Sequence, residues 1–225
     1  MKKGLFLATA ALCVAGFPLA LWLVFYQAPL QDQLYFSQKI FYFHVPSATM
    51  NFIAVFVCGI YSILYLRQRN PRHDDVAAAA AELSVMFGAI VLVTGSIWGK
   101  AAWNVWWQWD ARLTSALLLW MLMVAYVLVR RYGGPGSERL AAGLAVFAMV
   151  DVPLIYMSVN IWRTIHPETS VVPGLRGMMR VTFWSSMLLF LVFFILLMRA
   201  RLAVGRARRA LDEVREQAVD GGVLD

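Results

Sequence analysis

The sequence predicts an all-α integral membrane protein with six transmembrane helices and both termini in the cytoplasm. Three observations carry this. Of the 225 residues 61% are hydrophobic and 15% charged, with a mean hydropathy of +0.65, too apolar for a soluble globular domain of this length. The apolar residues gather in six runs, each near the roughly 20 helical residues that cross a bilayer core about 30 Å thick. Fourteen of the 20 Lys and Arg lie in one alternating set of segments (the N-terminus, Arg67 to Arg72, Arg130 to Arg139, and Arg199 onward), against six in the other set. Basic residues collect on the cytoplasmic side, so three loops face outward.

The first run, Gly4 to Tyr26, follows Lys2 and Lys3. It exceeds a signal-peptide core of roughly 7 to 15 residues and no small-residue cleavage site follows, so it is expected as the first span. The second, Pro46 to Leu66, begins within KIFYFHVPSATM, whose His44 falls in the outer loop just before it. The third, Glu82 to Trp98, opens into WGKAAWNVWWQWDARLTS, residues 98–115. The fourth, Leu113 to Val129, ends at a turn marked by Gly133, Gly134, Pro135 and Gly136. The fifth, Leu140 to Ile161, holds Asp151 two residues before Pro153 and leads into NIWRTIHPETS. After the sixth, Val181 to Met198, the cytoplasmic tail 199–225 is expected to continue as a charged amphipathic helix and fray at Gly221 and Gly222. Residues 1–225 form one membrane domain, with no room for a separate soluble one.

Several classes are excluded. The net charge of +7 sits at the ends of apolar runs rather than in a basic aromatic patch, so membrane lipid is the expected partner and nucleic acid is not. Cys13 and Cys58 lie inside apolar runs without C-x-x-C spacing, which argues against a disulfide or thiol chemistry. No G-x-S-x-G, nucleotide loop or base–nucleophile spacing occurs, so the chain is not expected to be an enzyme.

Five of the nine tryptophans fall within residues 98–109. An aromatic belt at the membrane interface is the ordinary explanation. Here all nine tryptophans, Trp22, Trp120, Trp162 and Trp184 included, map to the outer half, which favours a platform for a flat ligand. Trp103, Trp106, Trp107 and Asp110 recur at i, i+3, i+4 and i+7, so a periplasmic interfacial helix between spans three and four would put them on one face, with Gly99 releasing the chain into it. Asp110 has an equally good role as the N-cap of span four.

His44 and His166 are the imidazoles of the outer side, whereas His73 is cytoplasmic. A lone histidine at a membrane boundary is usually just interfacial. Two beside a tryptophan shelf suit paired axial ligation of haem iron, the porphyrin lying against the indoles. Zinc would want three or four clustered ligands. Haem propionates need cationic or hydrogen-bonding partners. Arg112 leads the candidates and Arg163 follows, with Lys39, Lys100 and Arg176 behind them, and anchoring to lipid phosphate is the alternative for each. Asp151 is expected to accept a hydrogen bond from a neighbouring helix.

The segment WGKAAWNVWWQWDARLTS resembles the WWD signature of the haem-handling membrane proteins of cytochrome c maturation, and KIFYFHVPSA and SVNIWRTIHP resemble their histidine segments. Six spans in 225 residues match the CcmC family rather than the longer CcmF or CcsA-type proteins. The likeness covers nearly the whole chain. It implies transiently bound haem b at the periplasmic face of the bacterial inner membrane, with axial ligands His44 and His166. It also implies a platform of Trp98, Trp103, Trp106, Trp107, Trp109 and Asp110, with Arg112 nearby. It implies delivery to the haem chaperone CcmE, with CcmA, CcmB and CcmD as complex subunits. The family signature has Pro-Met and Gly-Thr where this chain has Ala101-Ala102 and Asn104-Val105. Two rival readings are a bis-histidine redox subunit, which usually holds its haem deep within the spans, and a cofactor-free transport permease component.

Overall fold

The computed structural model describes residues 3–31, 34–167 and 170–221. Lys2, the end of the tail beyond Gly221 and the fraying expected at Gly222 lie outside the described residues. Helix α1 (Lys3–Trp22) closes with a wide π-type turn (Leu23–Gln27), and a 3-10 segment (Tyr35–Ile40) enters α2 (Phe41–Gln68). Then come α3 (Pro71–Trp103), α4 (Ala111–Tyr132), α5 (Ser137–Ile161), the single turn α6 (Val171–Gly174) and α7 (Gly177–Asp220). Six of these elements are long and apolar enough to cross a membrane, and no strand forms among the described residues. A chain in lipid must satisfy its own backbone hydrogen bonds, which a helix does within itself.

The helices outrun the apolar windows because backbone hydrogen bonding continues through polar residues until a cap intervenes. Arg69, in the left-handed region at φ 54°, closes α2, and Asn70 opens α3 by accepting from Arg72 N–H at 3.0 Å, with Pro71 at the first helical position. Helix α7 spans 44 residues, about 66 Å at 1.5 Å per residue, so the charged tail is helical to Asp220.

Helix α2 lies at the centre, packed on α3, α5 and α7, while α1 leans mainly on α7. One core joins Val55 and Cys58 of α2 to Ala77, Ala80, Met123, Tyr126, Ala145 and Val152. Small residues allow these close approaches: a Cβ at Gly59 would lie 2.7 Å from Met149. A second core packs Phe87, Phe190 and Phe194 with Met50, and Phe17 of α1 closes on it edge-on.

The arginine-rich end is tied by ion pairs. Arg130 of α4 binds Asp74 of α3, and also Glu138 of α5 at 2.9 Å. Arg201 and Arg209 pin the extension of α7 to Glu82 and Asp75 of α3. Arg130→Met is expected to destabilise the protein by about 2 kcal/mol, because it strands a partly buried carboxylate. Thermal unfolding in detergent checks this, and an unchanged midpoint would refute it.

Four expectations are corrected. No interfacial helix separates α3 from α4, because α3 runs on to Trp103 and residues 104–110 are irregular. Gly99 stays helical and instead lets the loop fold back, since a Cβ there would meet the Val105 carbonyl oxygen at 3.0 Å. His44 lies in the first turns of α2 rather than in the preceding loop. Asp151 is buried, but its Oδ2 receives no hydrogen bond among the described residues.

Candidate functional site

The tryptophan-bearing end collects the chain from the ends of α1, α3 and α5. Its geometry begins where α3 stops. Asn104 adopts φ 60° and ψ 21° and caps α3 through its N–H to the Lys100 carbonyl at 3.1 Å. A glycine enters this left-handed conformation freely and asparagine tolerates it, so the bend forms at Asn104 without a glycine.

Asp110 joins three pieces. Its Oδ1 caps α4 by accepting from Leu113 N–H at 2.8 Å. Its Oδ2 accepts from the Thr164 hydroxyl at 2.5 Å and from Ile165 N–H at 3.1 Å. His166 N–H in turn donates to Thr164 Oγ1 at 3.1 Å. One carboxylate thus holds the tryptophan segment, the start of α4 and the His166 loop together.

The two histidines share a tautomer. His166 sits 2.8 Å from the Pro167 carbonyl through Nδ1, and a carbonyl only accepts, so Nδ1 carries the proton. His44 Nδ1 lies 2.9 Å from Thr94 Oγ1, whose own proton goes to the Ile90 carbonyl at 2.6 Å. His44 Nδ1 is therefore the donor there as well. On both rings Nε2 keeps its lone pair, the form that ligates a metal. Burial, reinforced by the Arg112 charge, holds the His166 pKa down at about 4, so its imidazole is neutral at pH 7. His44, His166 and Arg112 lie within electrostatic reach of one another.

Arg112 donates to the Ile155 carbonyl, where α5 nears its end, and no carboxylate ion-pairs with it among the described residues. Four of its five N–H donors thus have no described protein acceptor. The tryptophans divide. Trp98 and Trp107 each carry a buried indole N–H without an acceptor among the described residues. Trp106 and Trp109 are 59% and 74% exposed. The rings meet edge-on rather than as a flat shelf: Trp98 with Trp103 at 4.7 Å and 81°, Trp107 with Trp109 at 5.7 Å and 76°. Trp120 belongs to the bundle, donating to the Val85 carbonyl at 3.0 Å, and Trp22, Trp162 and Trp184 face outward.

The structure brings His44, His166, Asp110 and Arg112 together and gives the lysines other partners. Lys39 is buried and donates to the Ala28 carbonyl at 2.5 Å, tying the end of α1 to the approach of α2. Lys100 donates to Asn104 Oδ1 at 2.7 Å and lies 5.9 Å from the Trp106 ring centre. Arg163 is exposed on the His166 loop. Sequence reasoning missed Thr94, Gly95 and Thr164. The polar and small run Thr94-Gly95-Ser96 inside an apolar helix was the available signal.

An imidazole pair with free Nε2 atoms, an arginine with donors to offer and two buried indole N–H groups form a donor set that fits a flat, anionic iron porphyrin. The comparisons with known proteins agree in kind. A family model described as heme exporter protein C, CcmC, matches residues 2–220. The chain is 38% identical over 149 residues to heme exporter protein C of Bradyrhizobium diazoefficiens, covering 64% of this chain and 56% of that protein. It is 33% identical over 195 residues to heme exporter protein C of Escherichia coli, covering 82% and 74%. A ccmC-like mitochondrial protein of Marchantia polymorpha, named for cytochrome c biosynthesis, is 32% identical over 153 residues, covering 68% and 65%. The chain thus spans 56% of the Bradyrhizobium diazoefficiens protein and 65% of the Marchantia polymorpha protein, less than two thirds of each. With a family model matched from one end of the bundle to the other, this chain belongs to the CcmC, heme exporter protein C, family.

Proposed function

We propose that this protein is a haem carrier of cytochrome c maturation, holding haem at its tryptophan-bearing end between His44 Nε2 and His166 Nε2 and passing it to a periplasmic acceptor, the haem chaperone CcmE. The observation that carries the reading is the shared tautomer: each ring gives its Nδ1 proton to a protein oxygen and keeps its Nε2 lone pair. The family's printed name, heme exporter protein C, supports haem as the cargo. Bound haem supplies an iron with two axial positions and a reactive vinyl edge.

The residues of this chain bind, orient and release. Arg112 and the indole N–H groups of Trp98 and Trp107 offer partners to the propionates. Asp110 fixes the position of the His166 loop relative to α4. Because His166 rides on that loop rather than on a helix, local opening of the loop would release one ligand while the rest of the site stays in place. The chain is not an enzyme in this reading, since any covalent attachment is made on the acceptor. The arginine-rich end lies in the cytoplasm of a bacterial inner membrane, and CcmA, CcmB and CcmD complete the complex.

The test is the absorption spectrum and haemochrome of the detergent-purified protein, expressed without its acceptor. A six-coordinate low-spin haem is expected, and protein that emerges free of haem under haem-replete expression would overturn the reading.

A further inference from the structure

We propose that Thr94 is the positioning residue for the His44 ligand, with Gly95 providing the space in which the ring is set. The inference rests on the haem reading above. A threonine hydroxyl has one proton, and that of Thr94 goes to the Ile90 carbonyl one turn back at 2.6 Å. Its lone pairs therefore face His44 Nδ1 at 2.9 Å as an acceptor, which places the ring proton on Nδ1 and leaves Nε2 for the iron. The next residue clears the way: a Cβ at Gly95 would stand 3.1 Å from His44 Cε1, closer than ordinary packing allows. An acceptor at position 94 and a missing side chain at 95 together set both the tautomer and the angle of the ring.

The helix geometry links this seat to the tryptophans. Thr94 and Trp98 are four residues apart on α3 and share a face, so one helix presents both the anchor of the ligand and the first ring of the cluster. The nature of the acceptor matters too. A carboxylate on Nδ1 would raise the basicity of the imidazole and tighten its bond to iron. Here both acceptors are neutral, a hydroxyl for His44 and a carbonyl for His166. Neutral acceptors orient a ligand without strengthening it as far, which suits cargo that must be handed on.

The test uses the full-length purified protein with Thr94→Val, Thr94→Ser, Gly95→Ala and His44→Ala. Nitrogen-15 NMR of histidine-labelled, haem-free protein reads the His44 tautomer, assigned by its loss in His44→Ala, and haem titration reads affinity and spin state. Wild type and Thr94→Ser are expected to show the single Nδ1-protonated tautomer and low-spin haem. Thr94→Val is expected to show mixed tautomers, about 10- to 100-fold weaker haem binding and a high-spin fraction. Gly95→Ala, with the hydroxyl intact, is expected to weaken haem binding by displacing the ring, and it carries the test if Thr94→Val fails to fold. A Thr94→Val protein with the wild-type tautomer and affinity overturns the inference while the haem site stands, as does an unaffected Gly95→Ala if it is the variant left to decide. Wild-type haem binding by His44→Ala overturns both.

Discussion

His166→Ala and His44→Ala are each expected to weaken haem retention by more than about 100-fold, beyond the 10- to 100-fold typical of groups that merely orient a ligand. On the proposed reading each removes an axial donor rather than a partner of one. Removing His166 takes an imidazole from a loop that Asp110 still anchors, because the Thr164 and Ile165 bonds do not involve the ring. Added imidazole is therefore expected to enter the gap and restore a six-coordinate spectrum. Removing His44 opens space against Thr94 and Gly95, where imidazole can give its own N–H to the same hydroxyl. His73→Ala is the control. That ring lies in the first turn of α3 at the opposite end, edge-on to Tyr61 at 5.8 Å, and its loss is expected to leave the spectrum unchanged. Haemochrome per protein in the three variants decides the matter, and equal loss in all three would mean that the histidines act only through folding.

Asp110→Ala carries the next largest effect. It removes the cap of α4, worth about 1 kcal/mol, and two bonds from a carboxylate to the His166 loop, each worth about 1.5 to 3 kcal/mol. The loop is expected to lose its position relative to α4, and haem affinity to fall by about 100-fold, since 1.4 kcal/mol is a factor of ten. Asp110→Asn separates the two roles. Asparagine caps a helix as well as aspartate does, but its amide nitrogen cannot accept from Ile165 N–H. Normal thermal stability with weakened haem binding is the expected signature. A variant of normal affinity would show that the loop is held by other means.

The six spans were legible in the sequence because lipid enforces them. Every backbone group must be satisfied within the helix and every crossing needs an apolar run, so composition suffices to find them. The tryptophan cluster and His44 and His166 stood out because they are rare residue types flanking apolar runs at one end of the bundle. The helix ends were not, since a hydropathy window stops at polar residues while the backbone continues to a cap. His44 was therefore read into a loop and belongs to α2, and the tryptophan segment was read as a helix although Asn104 breaks α3 before it.

Partnerships between distant segments were equally out of reach. Lys39 was a propionate candidate by side and charge, and only the fold brings it beneath the Ala28 carbonyl. Asp110 was a cap by local spacing, while its second oxygen meets Thr164 across 54 positions. The sequence by itself determined the apolar class, the six helices long enough to cross a membrane and the residue types of the candidate site, because these follow from local hydrophobicity and rare side chains. Which tryptophans turn inward, which nitrogen of each histidine is free and which hydroxyl seats His44 depend on helices meeting across tens of residues. Those contacts exist only once α2, α3 and the loop after α5 have packed around one end of the bundle.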